Sequence, residues 1–401
     1  MRKLLWIGDA GCETGFAKAT HYILDTLRHY WEVTVLGLNY YGHPAAKRKY
    51  PYDIYPAHTG TDFFGVKQIP ALWEEVHPDV VVIQNDPWNF PAYLYRLKGV
   101  PVVGGVAVDG LNCQGQSLNG LSLAVFWTEF GRYEASLGGY RGPSAVIPLG
   151  VDRTIYKPLD RQQCRREMGI LPRFQDAFIV MAVGRNQLRK RLDLTIRYFA
   201  AWVKKYQPDN AVLYLHAAPT GEQAVDLHQL GGYYGVMNQM IVAEPEAFHG
   251  MTEERLPVLY NCADLGFSTS QGEGMGLPAL EMMACGVTSI LPANAAYSDW
   301  APDGALLVPC TSTSITVPSA SPINVIGSIM DEDMAVETLQ AAYSNKAKLS
   351  DWSMRAFELA SDPRFDWRVI GEKWNVGINE AIQLREMFKK KQEAREAAAN
   401  A

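Results

Sequence analysis

Short apolar runs that stop at glycine, aspartate or asparagine recur through the first part of the chain, at residues 4–7, 33–38, 80–84, 101–108 and 123–128. Runs of this kind, apolar throughout and not alternating with polar residues, suit strands covered on both faces of a parallel sheet. Helical spacing separates several of them, notably over residues 20–30. The pattern predicts a doubly wound α/β domain whose strand carboxyl ends line a cleft. A second series follows: a strand at 178–183, an amphipathic helix at 192–206, a strand at 211–216, a helix around 224–234, and strands at 240–242 and 265–269. Between the two series lies a polar stretch through Arg173, so the boundary is expected near residue 150.

The second domain is expected over residues 151–365, a terminal helix over 366–388 that packs back toward the first domain, and a frayed alanine-rich tail over 389–401. Helices are predicted at 332–349 and 351–360. The Ser/Thr/Pro-rich stretch 311–321 reads as an exposed loop or hairpin of unassigned role.

Length and composition agree with this division. A chain of 401 residues exceeds one ordinary core and suits two α/β domains. Hydrophobic residues at 48% and charged residues at 20% describe a globular protein. Lys and Arg total 37 against 43 Asp and Glu, so the net charge of -6 supplies no global attraction to nucleic acid. The six cysteines are scattered without a C-x-x-C pair, which argues against a zinc site or disulfide framework and for reduced thiols. The apolar run after Met1 is too short for a signal peptide, and no run reaches the roughly 18 residues that a membrane span needs. A cytoplasmic location is expected, in a bacterial cell or phage-infected host, with oligomeric state unassigned.

Candidate chemistry concentrates at Ser270-Gln-Gly-Glu-Gly-Met-Gly-Leu-Pro-Ala-Leu-Glu-Met-Met-Ala-Cys-Gly286, between two predicted strands. Pro278 suits the first turn of a helix and Gly286 its stop. Gly272, Gly274 and Gly276 allow backbone amides to approach a ligand, and the helix directs its positive end at the same place, so an anion belongs there. Glu273 in the loop and Glu281 one turn into the helix can face one pocket and accept hydrogen bonds from sugar hydroxyls.

This segment, with its flanking strands, resembles the E-x7-E segment of the retaining glycosyltransferases of family four, which have the GT-B architecture of two Rossmann-like domains. Val183-Gly-Arg-Asn-Gln-Leu-Arg-Lys-Arg-Leu-Asp193 is similar to the family's G-R-x(n)-K loop, and Val146-Ile-Pro-Leu-Gly-Val-Asp152, with Tyr156 and Pro158, to its interdomain hinge, Leu149 replacing an Asn. The resemblance is strong over residues 145–385. It implies that Arg185 and Lys190 clamp a donor diphosphate, that Glu281 holds the ribose and Glu273 a sugar hydroxyl, and that Gly184, Gly274, Met275, Gly276 and Leu277 contact the donor. Arg189 and Arg191 are read as solvated charges at a helix start.

In the first half the resemblance is looser. Gly15 and Phe16, after the first strand, are placed with the donor-binding residues and Thr14 on the acceptor side, although a plain strand-to-helix turn reads nearly as well. Asp109 ends the fourth strand where relatives carry a His, and is taken as a catalytic carboxylate that orients an acceptor hydroxyl, with a structural cap as the other reading. Asp86 and Trp88 are further acceptor-side candidates, Trp88 being able to stack on a sugar or simply to pack. His216 is a core or capping histidine by default, and Asp331-Glu-Asp333 a helix cap in preference to a metal site.

The implied reaction moves a hexose-type sugar from a UDP- or GDP-sugar to an acceptor hydroxyl with retention, without a metal or cofactor, a donor phosphate oxygen taking the acceptor proton. First-half segments also look like a subgroup of bacteriophage and environmental sequences. For these 5-hydroxymethylcytosine in DNA is an acceptor to consider, with the basic residues 46–51 as the contact. A nucleotide-sugar epimerase and a non-catalytic nucleotide-sugar-binding protein are the alternatives.

Overall fold

The computed structural model describes residues 1–12, 14–42, 50–97, 99–220, 225–243, 251–316 and 325–399. Glu13 and most of the basic stretch 46–51 lie outside the described residues. The chain divides into two units, the first comprising Met1–Val108, Cys113–Leu149 and Asp366–Ala401, the second Asp109–Asn112 and Gly150–Phe365.

The first unit is built on β1 (Arg2–Asp9), β2 (Trp31–Leu38), β3 (Asp53–Pro56), β4 (Val80–Asn85), β5 (Val102–Val106), β6 (Leu123–Phe126) and β7 (Ser144–Val146). They form one parallel sheet in the order β3-β2-β1-β4-β5-β6-β7. Leu4, Leu5, Trp6 and Ile7 are all fully buried, which is why β1 shows no alternation: helices cover both faces. The edge strands β3 and β7 are half-exposed and carry too few apolar positions to stand out in the sequence.

The terminal helix Trp367–Ala399 belongs to this unit. It packs closely on the helix Gly15–Leu27: a Cβ at Gly371 would lie 2.4 Å from the Cβ of Thr26, and Tyr22 stacks on Trp367 at 5.0 Å. The Trp31 indole donates to Asn375 Oδ1 at 2.9 Å. The helix continues through residues 389–399, where a frayed tail was expected. Alanine, glutamate, lysine and arginine there are good helix formers.

The second unit contains β8 (Phe178–Val183), β9 (Ala211–His216), β10 (Met240–Val242), β11 (Leu265–Phe267), β12 (Ser289–Pro292) and β13 (Leu306–Val308), parallel in the order β10-β9-β8-β11-β12-β13. The strand order reverses between β8 and β11, so the loops after these two strands leave the same edge of the sheet in opposite directions. Such a switch point opens a crevice beyond the strand ends. Both motif loops singled out from the sequence arise there. Each unit is thus a Rossmann-like α/β domain.

The stretch expected to be a loop or hairpin begins as a strand, β14 (Cys310–Thr316), paired antiparallel with β15 (Val325–Met330); residues 317–324 lie outside the described residues. One break is also displaced. The helices run Glu332–Ser344 and Lys346–Ala360 because Asn345 caps the second, its Oδ1 accepting from Lys348 N at 2.9 Å. Asp331 caps the first through Met334 N at 2.8 Å, in keeping with its reading as a cap.

A buried ion pair fixes the start of this unit. Arg165, on the helix Arg161–Glu167, donates through Nη2 to Asp264 Oδ2 (2.7 Å), through Nε to the Cys262 carbonyl (2.9 Å) and through Nη1 to the Gln175 carbonyl (2.6 Å). Asp264 also accepts from Ile179 N at 2.8 Å, tying the helix to β8. Removing one partner strands a charge that is 2% exposed. Asp264→Ala is therefore expected to lower unfolding free energy by about 3–5 kcal/mol, as measured by denaturant titration; a loss within experimental error would show that water satisfies Arg165.

Candidate active site

The loop after β8 turns once through Leu188–Lys190 and enters the helix Leu192–Tyr206 at Arg191, whose φ is +51°. Its backbone is pinned to the glycine-rich loop after β11. The Gln271 amide donates to the Arg189 carbonyl at 2.9 Å, and Thr269 Oγ1 donates to the Arg191 carbonyl at 2.8 Å. Asn294 Nδ2 donates to the Gln271 carbonyl at 3.0 Å from the other side. Two loops far apart in sequence are thereby held as one surface.

The glycines are required by what lies against them. A Cβ at Gly272 would sit 1.7 Å from the Asp109 carbonyl oxygen. At Gly276, φ is +82° and a Cβ would fall 2.5 Å from the Tyr297 ring. Gly276 caps the helix Leu277–Ala284, whose first turn includes Pro278 and has no side-chain cap. Its leading amides therefore offer partial positive charge to an anion.

Glu273 occupies the centre. It is 6% exposed, and its two oxygens take different cations: Lys190 Nζ donates to Oε1 at 2.5 Å and Arg189 Nη1 to Oε2 at 2.9 Å. Arg189 Nη1 also meets the Gly272 carbonyl, and its Nε lies 3.2 Å from Asp109 Oδ2. Asp109 stays beside the loop because Leu111 exchanges backbone hydrogen bonds with Ile326 of β15 (2.9 and 3.2 Å), while Ser328 N of the same strand donates to the Gln271 carbonyl at 2.8 Å. Burial alone would push the Glu273 carboxyl up; the Arg189 and Lys190 charges and their hydrogen bonds overcome it and hold it down to about 2. Burial pulls the Lys190 ammonium below its usual value, with Glu273 opposing. A pocket beside the cluster is lined by Gly184, Lys190, Thr269, Glu273, Pro278 and Tyr297, among others.

The structure therefore brings Asp109, Gly184, Lys190 and Glu273 together with Gly274, Met275, Gly276 and Leu277 of the same loop. Other candidates are placed elsewhere. Glu281 is buried, and its Oε2 accepts from the Tyr260 hydroxyl at 2.7 Å. The helical turn carries its side chain toward the helix Leu256–Tyr260. Arg185 is exposed, and no ion pair to it is found among the described residues. Arg189, read from the sequence as a solvated charge, is instead half-buried between two carboxylates; charge spacing along the chain carries no sign of partners contributed by residues 109 and 273. Arg191 pairs locally with Asp193 at 2.9 Å. His216 ends β9, and burial pushes its imidazole down to about 4, so it is a neutral core histidine.

The first unit's candidates lie at strand ends of its own sheet. Thr14 caps the helix Gly15–Leu27, accepting from Ala17 N (3.1 Å) and donating to Asp9 Oδ2 (2.8 Å), and Gly15 is exposed on its first turn. Phe16 packs against Trp127 at 5.2 Å. Asp86 and Trp88 are partly exposed after β4, the Asp86 amide donating to Asn85 Oδ1 at 2.8 Å.

Residues 177–320 match the model of the family described as "Glycosyl transferases group 1". A D-inositol 3-phosphate glycosyltransferase of Acidothermus cellulolyticus is 31% identical over 40% of this chain and 35% of that protein. One of Nocardia farcinica is 33% identical over 39% of this chain and 34% of that protein. The match thus spans about a third of the length of these relatives. Among solved structures, sucrose-phosphate synthase from Thermosynechococcus elongatus is similar with a TM-score of 0.71 at 16% identity, covering 98% of this chain and 100% of that one. The Anabaena protein HepE in complex with UDP and glucose is similar with a TM-score of 0.71 at 17% identity, covering 94% and 100%. These likenesses show the fold over nearly the whole chain: the two-domain GT-B architecture. The second unit carries the region typical of glycosyltransferases of group 1.

Because folding lowers the Glu273 pKa, the stabilisation it brings is fully present above the ordinary carboxylate value and is lost as pH falls toward about 2. Glu273→Gln is expected to flatten the acid limb of stability between about pH 4.5 and 2. Denaturant midpoints measured across that range check this, and parallel curves for the two proteins would contradict it.

Proposed function

We propose that the chain, which carries the glycosyltransferase group 1 region in its second unit, transfers a hexose-type sugar from a UDP- or GDP-sugar to an acceptor hydroxyl, with retention and without a metal. The observation that carries the reading is the meeting of Lys190 and Glu273 beside the amides that open the helix Leu277–Ala284. An ammonium and a helix N-terminus favour a diphosphate, and a buried ionised carboxylate accepts from a sugar hydroxyl.

In this reading the diphosphate lies across the loop at Gly274, Met275 and Gly276, within reach of Lys190, with Arg185 approaching from the exposed start of the other loop. Glu273 takes a donor sugar hydroxyl and Glu281 the ribose. Negative charge grows on the diphosphate as the bond to the anomeric carbon breaks, so Lys190 is needed most in the transition state. A donor phosphate oxygen takes the proton of the attacking hydroxyl. Departure and attack on the same face give retention. Glu273 and Glu281 are not a glycosidase pair: each is engaged by a different partner set, and the scheme has no carboxylate attack on the sugar.

The acceptor is to be found by experiment. A matrix of UDP- and GDP-sugars against sugars, inositol phosphates, lipid-linked acceptors and hydroxymethylated DNA, read by nucleotide release and product mass, is expected to give a one-hexose increment on one acceptor class. A changed donor without nucleotide release would indicate an epimerase, and binding without turnover a carrier; either would overturn the assignment. With the acceptor known, Lys190→Ala is expected to lower kcat by about 10²-fold or more with a small change in KM. Glu281→Ala is expected mainly to raise the donor KM. Steady-state kinetics distinguish the two, and parental constants in both variants would remove these residues from the site.

A further inference from the structure

Glu273 is held by two cations, and the proposed reaction needs one of them elsewhere. Lys190 is the natural partner of the incoming diphosphate, and it sits on Oε1 of Glu273 in this structure. If Lys190 were the sole support, drawing it toward phosphate would leave a carboxylate that is 6% exposed without a counterion, and burial would favour its protonation. A protonated Glu273 would lose part of its ability to accept from a sugar hydroxyl.

Arg189 is built to prevent this. Its guanidinium bonds Glu273 Oε2 at 2.9 Å, reaches the Gly272 carbonyl and lies 3.2 Å from Asp109 Oδ2, so three acceptors from two chain segments fix one planar group. Its own carbonyl accepts from Gln271 N, which locks its backbone to the loop it supports. Lys190 has one such bond and a flexible stem. The neighbouring charged and titratable groups are Asp109, which balances Arg189, and Tyr297, from the helix Ala295–Trp300, whose phenol stays protonated because burial and Glu273 raise it.

We propose that Arg189 is a positioning residue that keeps Glu273 ionised and correctly turned while Lys190 passes from Glu273 to the donor diphosphate, with Asp109 holding Arg189 in place. This rests on the glycosyltransferase reading for the destination of Lys190, but Arg189's hold on Glu273 stands apart from it. Asp109 then acts through Arg189. It need not itself touch an acceptor.

The test uses full-length protein with 13C-labelled glutamate, the Glu273 carboxyl resonance being assigned by its absence in E273Q. In the parent its midpoint should stay well under the ordinary carboxylate value, both alone and with saturating UDP. In K190M it should remain under that value, because Arg189 still holds Oε2. In R189Q it should rise by about one unit or more, and UDP should raise it further as Lys190 is drawn off. R189K should fall between, since an ammonium keeps the charge without the three-way fork. If R189Q fails to fold, R189K and D109N carry the comparison, each expected to raise the midpoint in the presence of UDP.

Turnover then gives a second readout. With an active donor and acceptor pair, the acid limb of kcat/KM should move to higher pH in R189Q and be partly restored in R189K. A Glu273 midpoint that is the same in parent, R189Q and R189K, with and without UDP, would overturn the proposal. Midpoints that move as expected without nucleotide, in a protein that binds neither UDP nor GDP and releases no nucleotide, would keep Arg189's hold on Glu273 and remove the glycosyltransferase reading.

Discussion

A carboxylate buried to the extent of Glu273 is costly unless its charge is balanced, and the second unit is organised around that balance. Lys190 and Arg189 arrive on one loop, Glu273 on another, and Asp109 on a third segment that β15 holds through Leu111. Four charged groups of alternating sign form a chain: Asp109, Arg189, Glu273, Lys190. Each inner member is bonded on both sides. The end of the chain at Lys190 borders the pocket, so the cation with the weakest hold is the one beside the space for a ligand.

The backbone around this chain is equally constrained. Gly272 must lack a side chain because the Asp109 carbonyl lies against it, and Gly276 because its positive φ and the Tyr297 ring leave no room. These two positions set the path of the loop, and the path sets where Glu273 emerges and where the helix Leu277–Ala284 points its amides. Charge placement and loop geometry are one requirement. A longer side chain at either glycine would displace Asp109 or Tyr297, and with them the orientation of Arg189 or the helix start.

The sheet topology supplies the meeting place. In the order β10-β9-β8-β11-β12-β13 the reversal falls between the strands that launch the two motif loops. The same order appears in the first unit, where the reversal falls between β1 and β4, and Thr14 and Asp86 follow those strands. The doubling of one plan explains why a chain of this length shows two series of short buried strands.

Much of this was legible in the residues. The buried strands were visible because helices cover both faces, leaving continuous apolar runs such as residues 4–7 and 178–183; the edge strands β3 and β7 were not, because exposure dilutes the pattern. The loop, helix and strand around Glu273 could be read from glycine and proline placement, which are local constraints on φ and on hydrogen bonding. Partnership is not local. Nothing in the spacing of Arg185, Arg189 and Lys190 says which cation faces Glu273; that depends on a turn whose direction is set by Gln271, Thr269 and Asn294, residues brought in by other strands. The meeting of Glu281 with the Tyr260 hydroxyl is hidden for the same reason, since rotation about the helix and the placement of a neighbouring helix decide it. The sequence by itself determined which elements form and which residues carry charge into the loops. Only the tertiary structure decided how those charges pair, because a buried ion selects its partners by distance and solvation across the sheet and not by position along the chain.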